Sequence, residues 1–542
     1  MSLAPLEPIV PLGGARKPLL GLLDQWWAIA LVCLIALAPL LVVEGIAPLT
    51  DLYGHLGRHA VQTGLAERPG LQPYFTYDWQ LIGNLGGDIL VQLFYPLLGV
   101  EGAVRATVMV TQGLGALGLL LVSREVHGRV TPFALAAIPL LYGFPFNYGF
   151  INYTLSMALA LLAFVAWLRL RAGGREGLAA VWLGAAGAGI WVAHTYGWAF
   201  LGLLAGSTML AEVWAARTHP LRAALRILAA CWPLLLPIVP MVIWRAGSSG
   251  AAVSGWAWGY KYVWALSPLR TYWRDFDMGS LAVLVMLLGW AVGARAVRFD
   301  RRVGIAALLC FVFFIALPFR VFGSAFADMR LLPYALALAL VAIGTARPEQ
   351  GKPQVTRKAA RALLVASVLA IAFFGVRMAS TTLAYRNLDR QVQAALPALD
   401  KVPMGARVVF FSVKPCRTRW ALAPLDHLSG AAMARRDAFV NDQWQQPGVN
   451  PLKVSYPAAE PFVRDPSHLV VREECKESRS RVRLSTALKR LPRGAFTHIW
   501  IVGELPKRLT PPPGFVEVPD AGSGRLFAAT SPSPPPPPLP QT

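Results

Sequence analysis

The sequence predicts a polytopic α-helical membrane protein with a small α/β domain at its C-terminal end. Three observations carry that prediction. The chain of 542 residues is 55% hydrophobic and only 15% charged, where a soluble protein of this size would carry about 25% charged residues. Apolar stretches long enough to cross a bilayer recur from residue 25 to residue 378. After Arg377 the pattern changes to short strand-like and helical segments separated by charged turns.

In order, the predicted spans lie near 25–48, 102–123, 131–149, 153–170, 177–193, 196–214, 223–244, 280–297, 303–319, 329–346 and 360–378, about eleven in all. The first is too long for a cleaved leader and lacks a small-residue cleavage site, so it reads as a signal anchor. Segment 79–98 is apolar but begins among Asp78, Asn84, Gly86, Gly87 and Asp88. It reads as a helix lying along the interface, with a full span as the alternative.

The net charge of +22 does not call for a nucleic-acid partner, because of where the charge falls. Basic residues sit in alternate loops: Arg124 and Arg129; Arg169, Arg171 and Arg175; Arg217, Arg222 and Arg226; Arg295, Arg298, Arg301 and Arg302; and Arg347, Lys352, Arg357, Lys358 and Arg361. These loops, with Arg16 and Lys17 ahead of the first span, are assigned to the cytoplasm by the positive-inside rule. An odd number of spans then puts the C-terminal part outside.

The predicted organisation is a cytoplasmic N-terminus over 1–24, a membrane domain over 25–379 whose first outside loop is 49–101, an outside α/β domain over 380–530, and a Pro-rich disordered tail over 531–542. Within the α/β domain, Arg407–Val413 and His498–Gly503 read as buried strands, and Leu425–Arg435 and Arg479–Leu491 have helical spacing. Cys33, Cys231 and Cys310 fall in or beside spans. Cys416 and Cys475 fall outside, where either a disulfide or two buried thiols is expected. No Cys/His spacing indicates zinc.

Ionisable groups at the membrane edge are costly and invite a functional reading. Asp51, His55, Arg58 and His59 gather where the first span ends, and a helix opening at Asp51 would put His55 one turn on along the same face. The plainer reading is that Thr50 or Asp51 caps that helix. The second outside turn, Tyr142–Tyr153, has aromatics and the amides of Asn147 and Asn152, which could bond a sugar or hold Asp51 in place. The third offers His194. The fourth, 245–279, is rich in Trp and Tyr and carries Arg270 and Arg274, suited to sugar rings and phosphate or to a headgroup belt. The fifth carries Arg320, Asp328 and Arg330, where two guanidinium groups could balance a lipid phosphate, or where Asp328 could simply pair with Arg330.

This layout resembles the C-type (GT-C) integral-membrane glycosyltransferases, which have many spans, a long first outside loop with an interfacial helix, and an essential acid after the first span. Asp51 stands where that acid stands. Arg330-Leu331-Leu332-Pro333 is similar to the Arg-containing entry to late helices in bacterial members that use polyprenyl-phosphate sugars. Val100-Glu101-Gly102-Ala103-Val104-Arg105 is similar to the step before the second span. The chain departs from the pattern in two places. Asn147 and Asn152 stand where many relatives carry a second carboxylate, and Asp51-Leu52-Tyr53 replaces an adjacent Asp-Glu pair. A metal site built from paired carboxylates is therefore in doubt: no cofactor is certain, and both a divalent metal and a metal-independent mechanism stay open.

The resemblance implies a glycosyltransferase of the bacterial inner membrane. Its donor would be a polyprenyl-phosphate-linked sugar, its acceptor a glycan, lipid or protein, and its setting the membrane lipids, with no nucleic acid. Asp51 would act as general base, with His55 orienting it or sharing the proton. Arg320 and Arg330, with Arg270 or Arg274, would stabilise the departing phosphate. Two alternatives compete: a lipid-linked glycan transporter or flippase, which would need polar groups at mid-membrane and an internal repeat, and a non-catalytic assembly protein on a glycosyltransferase-like frame.

Overall fold

The computed structural model of the chain describes residues 19–246, 255–321, 324–345, 356–446, 448–464, 470–478, 481–506 and 509–531, with isolated residues of the tail. Arg16, Lys17, Arg347, Lys352 and most of the Pro-rich tail lie outside the described residues.

Helices dominate because the apolar stretches are apolar on every side and must satisfy their backbone internally. By length and composition, six are able to cross a membrane: Gly86–His127, Ile151–Ala172, Glu176–Ala193, Thr195–Ala215, Arg274–Gly293 and Arg357–Lys401. A bent pair, Pro220–Leu235 with Ile238–Trp244, would make a seventh. The other stretches counted in the sequence form shorter or interrupted helices among the described residues. Trp26–Leu41 has 16 residues with Pro39 inside, and Arg301–Ala316 has 16. Leu331–Val341 has 11. Segment 131–149 breaks at Pro132, Pro139 and Pro145 into three short helical pieces, as expected where proline removes a backbone donor. The outward faces of the long helices keep Val285, Met286, Val292, Leu364, Val365 and Val368 exposed, surface that suits lipid better than water.

The helix anticipated at 79–98 starts at Gly86 and runs to His127, interrupted at Gly99, where φ is 64° and ψ is 177°. Those angles lie outside the range that a side chain tolerates comfortably, so glycine carries the kink. The piece before Gly99 is thus a separate short helix leading into the next span.

The C-terminal part holds a five-stranded mixed sheet. Its strand order is Phe515–Val518, Arg525–Ala529, His498–Gly503, Arg407–Val413 and Phe439–Val440. Arg407–Val413 and His498–Gly503 are parallel neighbours, as buried, continuously apolar strands tend to be. All seven residues of Arg407–Val413 are buried. The two helical segments read from the sequence are shorter than expected: Gly430–Arg436 follows a run of turns, and Leu484–Lys489 follows a two-residue strand. Residues 479–480 lie outside the described residues. Cys416 and Cys475 are joined by a disulfide.

The C-terminal part packs directly on the loop over 49–101. Strand Phe75–Tyr77 pairs antiparallel with Leu452–Val454. Arg435 forks onto Glu101 at 2.6 and 3.0 Å. The helix Leu52–Gly64 crosses Gly430–Arg436 so closely that a Cβ at Gly430 would lie 1.7 Å from the Tyr53 carbonyl oxygen. Only glycine fits that crossing.

Candidate functional site

The first loop delivers Asp51 to the start of the Leu52–Gly64 helix. It stands at the N-cap position, yet its side chain makes no capping hydrogen bond. Its backbone is fixed instead by the turn at Asn147 and Tyr148. Thr50 N–H donates to the Asn147 carbonyl at 3.2 Å and Asp51 N–H to that of Tyr148 at 2.9 Å. Gly149 lies against Asp51, with φ of 114° and room for no Cβ, which would sit 2.9 Å from the Asp51 Cβ.

Asp51 borders a cavity of about 440 Å³. Of the residues singled out in the sequence, His55, Arg58, Asn152, His194, Arg320 and Arg330 line the same cavity. Asp88, fully buried, holds two of these lining residues, Arg58 and Asn152. It pairs with Arg58 Nη2 at 3.1 Å, accepts from Tyr77 Oη at 2.9 Å and from Asn152 Nδ2 at 3.1 Å. Burial, followed by the positive fields of Arg58, His59 and His427, holds His55 well below the ordinary imidazole range. Burial and Arg58 likewise bring His59 down to about 4. Both rings are therefore neutral at physiological pH.

Arg330 is 3% exposed, and among the described residues it pairs with no carboxylate. Nη2 donates to Ser324 Oγ at 2.8 Å and to the Ala325 carbonyl at 3.2 Å. Its guanidinium carbon lies 4.4 Å from the Phe150 ring centre and 5.2 Å from that of Tyr196. Nη1 faces His194 Nε2 at 3.4 Å. His194 Nδ1 accepts from the Tyr196 N–H at 3.0 Å, so the proton of its neutral ring belongs on Nε2. Burial and the charge of Arg330 keep that ring neutral. Two donors then face each other with no acceptor between them, an arrangement that an anion completes.

His194, Ser324 and Arg330 also border a second cavity of about 650 Å³. Its walls are apolar, with Leu203, Leu210, Leu309 and Phe313 among them.

Four residues picked from the sequence do not line the polar cavity. Asn147 is fully buried and its amide is saturated: it donates to the carbonyls of Tyr142 and Arg270 at 2.7 and 2.9 Å and accepts from Tyr385 Oη at 2.7 Å. Arg270 donates to the carbonyls of Trp420 and Arg419 at 2.7 and 2.8 Å, and burial draws its pKa down to about 10. Arg274 borders a separate open groove with Trp273 and Arg419. Asp328 is paired with Lys261 Nζ at 3.0 Å, not with Arg330. In Asn147 and Asp328 burial has matched the polar group to an internal partner, and Arg270 is turned to backbone carbonyls away from the polar cavity.

Sequence reasoning missed the contribution of the C-terminal part. Asp426, His427, Trp444, Gln446 and Asn450 also line the polar cavity. His427 Nε2 is 3.8 Å from Asp51 Oδ1, and its Nδ1 is 3.6 Å from Asp442 Oδ2. Nothing local marks these positions in the sequence, because their partner lies at the other end of the chain. No group of three His, Cys, Asp or Glu side chains suited to a metal ion occurs among the described residues.

No family model matches the chain, and no curated protein matches it. Among solved structures, ArnT from Cupriavidus metallidurans bound to undecaprenyl phosphate is similar at 12% identity and a TM-score of 0.47, over 93% of this chain and 98% of that one. The apo state of the same protein is similar at 12% identity and a TM-score of 0.48, over 92% and 96%.

Proposed function

We propose that the chain is a membrane glycosyltransferase that moves a sugar from a polyprenyl-phosphate donor to an acceptor hydroxyl at the outer face of the bacterial inner membrane. The observation that carries this reading is the meeting of two unlike cavities at one buried, carboxylate-free arginine. The polar cavity offers Asp51; the apolar one is suited to an isoprenoid tail; Arg330, Ser324 and His194 border both. A ligand with a charged phosphate between a sugar and a long apolar chain matches that order of surfaces.

In this reading Asp51 takes the proton of the acceptor hydroxyl as its oxygen attacks the anomeric carbon. The bond from that carbon to the phosphate oxygen breaks, and its electron pair leaves with the phosphate. Arg330 and His194 Nε2–H, with Arg320 at the mouth, stabilise the charge gathering there. The reading brings its topology with it: about eleven crossings over 25–379, the N-terminus inside and an α/β domain over 380–530 outside.

The test is Asp51→Asn, which keeps size and hydrogen bonding but removes the base. Transfer of labelled sugar from a polyprenyl-phosphate donor should fall at least about 1,000-fold, while the purified variant remains monodisperse. Transfer at the wild-type rate would refute the assignment.

A further inference from the structure

His427 occupies a position that the first loop alone does not provide. It is 5% exposed and its imidazole lies between two carboxylates, Asp51 at 3.8 Å on Nε2 and Asp442 at 3.6 Å on Nδ1. Asp442 is fully buried, and among the described residues neither of its carboxylate oxygens has a hydrogen bond. A buried carboxylate is tolerated when a cation compensates it, and His427 is its ion-pair partner among the described residues. The Trp444 ring packs edge-on against both His427 and His55, at 4.9 and 5.2 Å between centres. It thereby fixes the ring plane of His427.

We propose that His427, contributed by the C-terminal part of the chain, is a positioning residue that orients the Asp51 carboxylate and tunes its affinity for a proton, with Asp442 holding the imidazole from behind. The inference rests on the function proposed above and extends it, because the transferase site is then incomplete without the C-terminal part.

The surrounding charges support a protonated His427. From the Leu52–Gly64 helix, His55 and His59 are neutral and Arg58 is engaged by Asp88. From the C-terminal part, Lys414 is paired with Asp426, and burial brings Lys414 down to about 7. Lys414 also feels the Asp51 charge, but Asp51 and Asp442 flank the ring on its two nitrogens, and both carboxylates favour the imidazolium. An imidazolium beside Asp51 keeps the carboxylate ionised and aimed until the acceptor proton arrives. When Asp51 takes that proton, attraction from Asp442 keeps the imidazolium in place, so the site resets without losing its geometry.

The experiment uses the full-length protein in detergent and reads two quantities. The first is the pH dependence of carbethoxylation of His427, followed by peptide mapping, in wild type, Asp442→Asn and Asp51→Asn. Each substitution should move the midpoint at least one pH unit lower. The second is transfer from a polyprenyl-phosphate sugar in Asp442→Asn and His427→Gln. The rate at saturating donor should fall at least 10-fold and its pH profile should shift, while the donor KM changes less than twofold. A His427 midpoint that neither Asp substitution moves overturns the proposal, as does a fall in rate with an unchanged pH profile, which marks a merely structural role. Midpoints that shift as expected in a protein with no transferase activity support the charged array and reject the proposed function instead.

Discussion

Arg330 and Arg377 are buried to the same degree, 3% and 2% exposed, yet they sit in opposite surroundings. Arg377 meets Asp277 at 2.8 Å and the Leu269 carbonyl at 2.9 Å. The same carboxylate accepts from the Thr271 N–H at 2.8 Å, from Thr271 Oγ1 at 2.9 Å and from Trp420 Nε1 at 2.8 Å. That centre ties the loop around Thr271 to the helix carrying Arg377 and to the C-terminal part, and its charges cancel. Arg330 has aromatic faces, a hydroxyl, a carbonyl and a neutral imidazole around it, but no carboxylate among the described residues. A buried charge is compensated either internally or by a ligand. The first arginine has the internal solution, and the second has the form of a site awaiting an anion.

Removing each arginine should therefore have opposite consequences. Arg377→Ala strands Asp277 without its counterion and should cost about 3–5 kcal/mol of stability, seen as an early thermal unfolding transition in detergent. Arg330→Ala removes a charge that has no carboxylate partner among the described residues, so unfolding should change little, while transfer should drop by about 100-fold. Arg330→Lys should recover only part of that loss, because a point charge replaces a fork. If Arg330→Ala unfolds early and Arg377→Ala does not, the contrast is wrong.

A third test uses a ring that burial keeps neutral at the same cavity. His59 titrates at about 4 in the folded chain, against about 6.5 when unfolded. Its folded pKa is depressed, so the unfolded chain binds more protons between those values. The stability it contributes is complete above pH 6.5 and is lost as pH falls towards 4, by about 3 kcal/mol. Unfolding midpoints measured from pH 7.5 down to 4.5 should fall, and His59→Gln should flatten the slope. The smallest effect is expected at Arg274, which borders the separate groove. Arg274→Ala should leave transfer within about twofold of wild type, and a loss as large as that of Arg330 would merge the two regions.

The sequence pointed to Asp51 and Arg330 for a physical reason that holds locally: a charge at the end of an apolar span is costly wherever the chain goes next. The same rule selected Asp328 and Arg270, and it could not tell them apart from Arg330. The difference lies in their partners, Lys261 for Asp328 and the carbonyls of Arg419 and Trp420 for Arg270, which come from distant segments. Strands Arg407–Val413 and His498–Gly503 were legible because an unbroken apolar, β-branched run buried on both faces needs no context to be recognised.

Composition and periodicity by themselves determined a helical chain with long apolar segments, a change of character after Arg377 and a carboxylate where the first span ends. Tertiary structure alone decided which polar groups remain available. It brought His427 and Asp442 to Asp51 by a glycine-only helix crossing at Gly430, and it set Arg330 in the wall of both the polar and the apolar cavity. The reason is one of range. Hydropathy and turn chemistry act over a few residues of chain, whereas pairing a buried charge depends on whatever side chain the fold brings within about 4 Å of it.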